Sequence, residues 1–113
     1  MPLVSNNLDA LSLKWDCAEG DSVVTPWENA EAWERISPYN DVAKITTPTL
    51  WMGGSDDWNV PILNSEQMYM AMKRLGRETQ LIVYPNEHHG IRRPSFQKDR
   101  LKRYLDWLGK YVK

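Results

Sequence analysis

Two short apolar runs alternate with two helical patterns in the second half of the chain, and this order constrains the fold more than any other feature. The first run is PTLWMGG at residues 48–54, and the second is ETQLIVYP at residues 78–85. Apolar runs of this length, bounded by proline or glycine, are typical of buried strands in parallel sheets. Strands that are joined by a helix lie parallel, with a right-handed crossover. The sequence therefore predicts an α/β fold with a small parallel sheet flanked by helices.

The helical patterns after residue 60 have clear start and stop signals. Pro61 opens a stretch with apolar residues at helical spacing, and Gly76 stands where a C-terminal cap belongs. The methionines of this stretch are interpreted as helix packing with one exposed member. Apolar residues recur at helical spacing again over residues 96–112. This second pattern predicts a C-terminal amphipathic helix.

Two shorter helices are predicted ahead of the first strand. Thr25, Pro26 and Glu28 form the pattern of an N-cap, a first-turn proline and a capping box. They predict a helix that begins at residue 26 and ends before Ser37. Ser37 and Pro38 repeat the first two of these signals, and they predict the start of a second, short helix.

Composition excludes several classes of protein. The 113 residues fit one domain, and the net charge of −1 comes from 14 basic and 15 acidic side chains without a basic stripe. Nucleic-acid binding is therefore not expected. No apolar run reaches the roughly 20 residues that span a bilayer, and the first ten residues show no signal-peptide pattern. A single cysteine, Cys17, cannot form an internal disulfide and suits a reducing compartment. We expect a cytoplasmic protein without membrane contact.

The loops that follow the two predicted strands carry the residues best suited to chemistry. Asp56 and Asp57 follow the first strand, and Glu87, His88 and His89 follow the second. Neighbouring parallel strands lie ~4.8 Å apart, and catalytic groups gather beyond their carboxyl ends. An aspartate that accepts a hydrogen bond from one imidazole nitrogen leaves the other nitrogen free to take a proton. The loops therefore predict an Asp–His pair that awaits a nucleophile.

Other interpretations of these residues are open on the sequence alone. The pair could be a solvated loop contact with a structural hydrogen bond only. A metal site is disfavoured, because the adjacent side chains of His88 and His89 point apart on an extended segment and zinc prefers more nitrogen or sulfur ligands. No cofactor is expected. Cys17 is a chemically competent nucleophile, but its segment has no elbow signature. Arg92 and Arg93 are interpreted as surface charges.

From about residue 25 onward the chain resembles the C-terminal part of the catalytic domain of the prolyl oligopeptidase family, in particular acylaminoacyl-peptidase and dipeptidyl-peptidase-like enzymes. The matching stretches are TPWENAEAWERISP, VAKITTPTLWMGGSDDWNVP, SEQMYMAMKRLG, ETQLIVYPNEHHG and RYLDWLGKYVK. The resemblance implies a partial α/β-hydrolase fold and serine hydrolysis of peptide or ester bonds. The family's acid lies three residues before Val-Pro, which selects Asp57. Its base immediately precedes the glycine of YP-x-E-x-HG, which selects His89.

The nucleophile motif of such hydrolases, G-x-S-x-G, does not occur in the 113 residues. Ser55 comes nearest, after Gly53 and Gly54, but Asp57 stands where the motif needs a glycine. We therefore expect residues 1–113 to be a C-terminal fragment of a catalytic domain, with acid and base but without the nucleophile. Whether such a chain is an enzyme by itself is left open.

A non-catalytic role is the alternative that follows from this gap. A fragment with two strands leaves sheet edges and apolar helix faces uncovered. Such a chain would associate with a second copy of itself or with a complementing fragment. The partners expected are therefore a peptide or ester substrate in the first case, and a homo-oligomer or complementing chain in the second.

Overall fold

The structure is a computed structural model that describes residue 25 and residues 27–112. Its elements, in chain order, are α1 (Ala30–Arg35), a 3-10 helix (Pro38–Lys44), β1 (Thr49–Gly54), α2 (Ile62–Arg74), β2 (Thr79–Tyr84) and α3 (Pro94–Tyr111). Within the described residues the sheet has two strands, and they pair in parallel from Thr49 opposite Thr79 to Gly54 opposite Tyr84. This arrangement confirms the predicted α/β class and the small parallel sheet.

Helix α2 packs against both strands and supplies the centre of the core. Met72 is completely buried, whereas Met70 is 64% exposed. This confirms the interpretation of the methionines as one packing face with an exposed member. At the opposite end of the sheet from the site loops, Thr79 Oγ1 donates to Thr49 O at 2.9 Å and accepts the Trp51 Nε1 proton at 3.1 Å. These bonds fix the first residues of the two strands against each other.

Helix α2 ends at a glycine in the left-handed region, as predicted. Gly76 has a φ of 69°. Its N–H donates to Lys73 O at 3.0 Å, and the Arg77 N–H donates to Met72 O at 2.9 Å. These two bonds form a Schellman motif, which satisfies carbonyls that the last turn leaves without helical partners.

The helix predicted to begin at residue 26 begins instead at Ala30 and ends at Arg35, before Ser37, so only its predicted start was wrong. The Glu28 carboxylate accepts from the Thr25 N–H at 2.8 Å and from its hydroxyl at 2.6 Å, and the Glu28 N–H donates back to Thr25 O. These contacts close a turn that ends before the helix. Asn29 is the N-cap, because its side chain accepts from the Ala32 N–H at 3.0 Å. Asparagine is among the strongest N-caps, so the helix starts after Asn29 rather than after Thr25.

The second short helix lies where it was predicted, but it is a 3-10 helix. The Ser37 side chain makes no capping hydrogen bond. Proline at the first helical position therefore starts this turn without help from the serine.

Helix α3 begins at Pro94, two residues before the predicted start, and buries none of its side chains. Its apolar face is exposed at four positions and at the C-cap residue that follows, with exposed fractions between 42% and 66%: Leu101, Tyr104, Leu105, Leu108 and Val112. No helix in the described part of the chain has the length and apolar character needed to cross a membrane. Cys17 and Pro26 lie outside the described residues.

Candidate active site

The loops that follow β1 and β2 are joined by backbone hydrogen bonds that extend the parallel ladder. The Ser55 N–H donates to Tyr84 O at 3.0 Å, and the Asp56 N–H donates to Glu87 O at 3.0 Å. Ser55 Oγ accepts from the Asn86 N–H at 2.8 Å, and the same hydroxyl lies 2.9 Å from Asp56 Oδ1, to which it donates. The serine nearest to the nucleophile motif is therefore a cross-link between the two loops.

Gly54 allows these loops to approach each other. A Cβ at this position would contact the backbone of Glu87 and lie 2.6 Å from His88 O. Contacts this short with backbone atoms cannot be relieved by a rotamer change. Glycine is the residue that lets a second backbone pass this close, so Gly54 fixes where the histidine loop crosses the end of β1.

The structure brings Asp57 and His89 together. His89 Nδ1 lies 2.9 Å from Asp57 Oδ2. The Asp57 side chain is only 6% exposed, whereas the His89 side chain is 59% exposed. Since a carboxylate only accepts hydrogen bonds, the contact places a proton on Nδ1. Nε2 has no hydrogen-bond partner within residues 27–112, so it is free to exchange a proton with a substrate group.

Asp57 is held as an anion by the loop that it opens. Its Oδ1 accepts from the backbone N–H groups of Asn59 and Val60, each at 2.9 Å. Burial alone would raise the pKa of the Asp57 carboxyl, but the hydrogen bonds from Val60, His89 and Asn59 outweigh it and lower the pKa below its usual value. The carboxylate is therefore ionised at neutral pH, when it can orient His89.

His88 is separated from this pair, although it is adjacent in sequence. Its Nδ1 lies 2.7 Å from the backbone oxygen of Asp56. A carbonyl accepts hydrogen bonds, so His88 also carries its proton on Nδ1. The two histidines thus bond to neighbouring residues of the other loop, His88 to a neutral carbonyl and His89 to a carboxylate. Of the two histidines, only His89 has, among the described residues, a charged partner that stabilises an imidazolium.

Glu87 has a structural position that sequence reasoning missed. The sequence places Glu87 among the loop residues suited to chemistry, yet the residue is only 5% exposed and its Oε2 accepts from the Arg92 N–H at 2.6 Å. Arg93, interpreted as a surface charge, lies with its Nε 3.4 Å from Glu87 Oε1. No sequence signal marks this position, since a carboxylate in a loop is ordinarily exposed and the hydrogen-bond partner here is a backbone N–H group.

A cavity of about 190 Å³ lies beside Asp57 and His89. Its other walls are apolar side chains and three polar ones, from Met52, Val60, Ile62, Ile91, Ser65, Arg100 and Tyr104, together with Gly53. Sites for small molecules are usually ~300 Å³ or larger. The cavity therefore has room for one substrate group next to the imidazole, and less than a whole peptide requires. Among the described residues, no group of three or more His, Cys, Asp or Glu side chains could hold a metal ion.

Solved structures show what fold this geometry belongs to. Dipeptidyl peptidase 4 of Porphyromonas gingivalis matches with a TM-score of 0.73 and 22% identity, over 78% of this chain and 12% of that chain. A putative dienelactone hydrolase of Klebsiella pneumoniae matches with a TM-score of 0.57 and 23% identity, over 66% of this chain and 34% of that chain. The neighbours confirm the predicted partial α/β-hydrolase fold.

Sequence comparisons identify the family. The acylamino-acid-releasing enzyme of Arabidopsis thaliana is 34% identical over 86 residues, which are 76% of this chain and 11% of that protein. The uncharacterized peptidase YuxL of Bacillus subtilis is 36% identical over 76 residues, which are 67% of this chain and 11% of that protein. The chain thus spans about a tenth of the length of these relatives. The model of the prolyl oligopeptidase family matches residues 4–113. The chain belongs to the prolyl oligopeptidase family.

Proposed function

We propose that the chain carries the acid and the base of a serine-type peptidase or esterase, with Asp57 as the acid and His89 as the base. The 2.9 Å hydrogen bond between a buried carboxylate and an exposed imidazole carries the proposal. His89 Nε2 takes the proton of a nucleophilic serine as its oxygen attacks the substrate carbonyl. His89 then returns that proton to the leaving amine or alcohol. Asp57 keeps the imidazole oriented and stabilises the imidazolium between these two steps.

The nucleophile of this reaction is assigned to a serine outside the 113 residues, since they contain no G-x-S-x-G motif. Ser55 is an unsuitable substitute, because its hydroxyl already joins Asn86 to Asp56. Substrates are proposed to be peptides or esters. The family and the name of the Arabidopsis relative support peptides, and the same acyl chemistry extends to esters. The cytoplasmic location expected from the sequence stays a prediction.

The residual chemistry of the dyad gives a direct test. The full chain is incubated with p-nitrophenyl acetate, an activated ester that an imidazole base can hydrolyse without a serine. We expect a slow rate above buffer, which falls about tenfold or more in His89→Ala and Asp57→Asn. His88→Ala is the matched control, because it removes the neighbouring imidazole that has no carboxylate, and it should keep most of the rate. A rate that depends on His88 rather than His89, or that never exceeds buffer, would contradict the assignment.

A second candidate function, self-association without catalysis, is supported by helix α3. The helix has no fully buried side chain, and its apolar residues from Leu101 to Leu108 are exposed, as is the C-cap Val112. Apolar stripes of this kind are usually covered by another protein surface. Under this proposal a second copy of the chain covers α3, and Asp57 and His89 are retained as a structural contact between the loops.

A further inference from the structure

Glu87 and Asp57 are the two polar or charged residues that the described part of the chain buries. Asp57 has a role in the proposed reaction, whereas Glu87 has none. A buried carboxylate is costly unless it is fully hydrogen-bonded, so the burial of Glu87 in a loop needs a physical explanation. Its contacts supply one, since all of them hold the segment that carries His89.

The backbone and the side chain of Glu87 fix opposite ends of that segment. At the near end, Glu87 O accepts the Asp56 N–H at 3.0 Å, beside the contact with Gly54. At the far end, Glu87 Oε2 accepts the Arg92 N–H at 2.6 Å. One residue therefore closes residues 88–91 into a short ring, with His89 in the middle.

The far end of this ring is anchored to the core as well. Ile91 is 7% exposed, and its carbonyl oxygen accepts from Gln97 Nε2 at 3.1 Å. Arg93 lies with its guanidinium 5.5 Å from the centre of the Phe96 ring and its Nε 3.4 Å from Glu87 Oε1. The buried charge of Glu87 thus has a cation beside it, and its second oxygen has the Arg92 N–H.

His89 needs such support, because its own side chain is held weakly. It is 59% exposed, and its one hydrogen bond within the described residues goes to Asp57. A single bond must offset the conformational entropy of the residues that it orders. When the backbone on both sides is already fixed, only the two side-chain torsions of His89 remain to be ordered.

We propose that Glu87 is a positioning residue for His89, and that its carboxylate closes the loop so that Nδ1 stays on Asp57 and Nε2 stays available to the substrate. This inference rests on the proposed function of His89. It predicts that the hydrogen bond accepted by the side chain of residue 87, rather than its charge, positions His89. Glu87→Gln keeps an oxygen that accepts the Arg92 N–H, whereas Glu87→Ala removes it and Glu87→Asp retracts it by one methylene.

The test is the tautomer of His89, measured from the ring nitrogens of the 15N-labelled full chain at about pH 8, where an ordinary imidazole is neutral. In the wild type we expect the Nδ1–H form, and the same form in Glu87→Gln. In Glu87→Ala and Glu87→Asp we expect a shift toward the Nε2–H form that free histidine prefers. If Glu87→Ala does not fold, Glu87→Asp against Glu87→Gln decides the question.

A matched control separates positioning from general stability. Thr79→Val removes hydrogen bonds at the opposite end of the sheet, so it should lower the melting temperature without changing the His89 tautomer. An unchanged tautomer in both Glu87→Ala and Glu87→Asp, or an equal change in Thr79→Val, would overturn the inference alone. A wild-type His89 in the Nε2–H form would instead overturn the Asp57–His89 pairing and, with it, the proposed function. Neither the tautomer measurement nor the melting temperature requires catalytic turnover.

Discussion

At the scale of single residues, the site depends on Gly54 more than on the glycine that follows His89. The family pattern draws attention to Gly90, yet a Cβ there would meet nothing closer than Arg92 Nε at 4.0 Å. A Cβ on Gly54 would instead meet the backbone of Glu87 and His88. The need for glycine therefore lies at the end of β1, where the other loop crosses.

The pair Gly54→Ala and Gly90→Ala tests this difference with one chemical change at two places. In Gly54→Ala the histidine loop must move away from β1, so we expect unfolding to become easier by about 1–3 kcal/mol, as for other overpacked sites. In Gly90→Ala we expect a change within about 0.5 kcal/mol. Urea denaturation of both variants and the wild type gives the values. Equal effects at the two positions would show that the loop crossing is not fixed by Gly54.

At the scale of elements, two glycines near helix ends have different structural roles. Helix α2 ends at Gly76 in the left-handed region with a complete Schellman motif. Helix α3 carries Gly109 in its last turns, where a Cβ would find no atom within 4 Å. The first glycine is required by its backbone conformation, and the second only weakens a helix.

The same substitution should therefore have opposite effects at these two glycines. Gly76→Ala places a Cβ at positive φ, and we expect it to lower the free energy of unfolding by about 1 kcal/mol. Gly109→Ala replaces a poor helix former by the best one on an exposed surface, and we expect a gain of about 0.5–1 kcal/mol. Thermal denaturation followed by circular dichroism distinguishes the two. A gain at Gly76 would mean that α2 does not end in the Schellman motif.

The elements show what a sequence reveals and what it leaves open. Both strands lie within one residue of their predicted ranges, because proline, glycine and charged residues bound two short apolar runs. Gly76 was predicted because one residue type dominates left-handed caps. The predicted start of α1 was wrong because Thr25 and Asn29 are both good N-caps. Which of them caps the helix depends on the turn that Glu28 closes.

The candidate site also has one part that the sequence predicts and one part that it does not. The meeting of the loops of Asp57 and His89 follows from the parallel register, since Gly54 lies opposite Tyr84 and both loops leave the sheet at one level. The burial of Glu87 could not be predicted, because it depends on the backbone N–H of Arg92 reaching back over the loop. Backbone N–H groups have no signature in the sequence, so partnerships with them appear only in the folded chain.

At the scale of the whole molecule, helix α3 leaves a regular apolar surface uncovered. Leu101, Leu105, Leu108 and Val112 follow one another at spacings of four, three and four residues and are between 53% and 66% exposed. This spacing is that of the a and d positions of a coiled coil. Most strand residues are only half-buried, although parallel sheets are normally covered on both faces, so the described residues form less than a complete set of layers.

If a second copy of the chain covers this stripe, two positive charges within it must prevent association without unfolding the monomer. We expect the wild type to sediment at more than the monomer mass, with a fraction that rises with concentration, and the double variant Leu101→Lys, Leu105→Lys to remain monomeric. Lysine is a good helix former, and both sites are exposed, so circular dichroism should be unchanged.

Leu63→Lys on α2, at a leucine that is 44% exposed outside the stripe, is the control and should associate like the wild type. A wild type that stays monomeric at every concentration would reject self-association, and a Leu63→Lys variant as monomeric as the double variant would show that the contact is not made by α3. Because Leu101 and Leu105 are not among the residues that line the cavity beside Asp57 and His89, the double variant should also keep the ester hydrolysis of the wild type. That result would separate the surface that joins two chains from the loops that carry the chemistry.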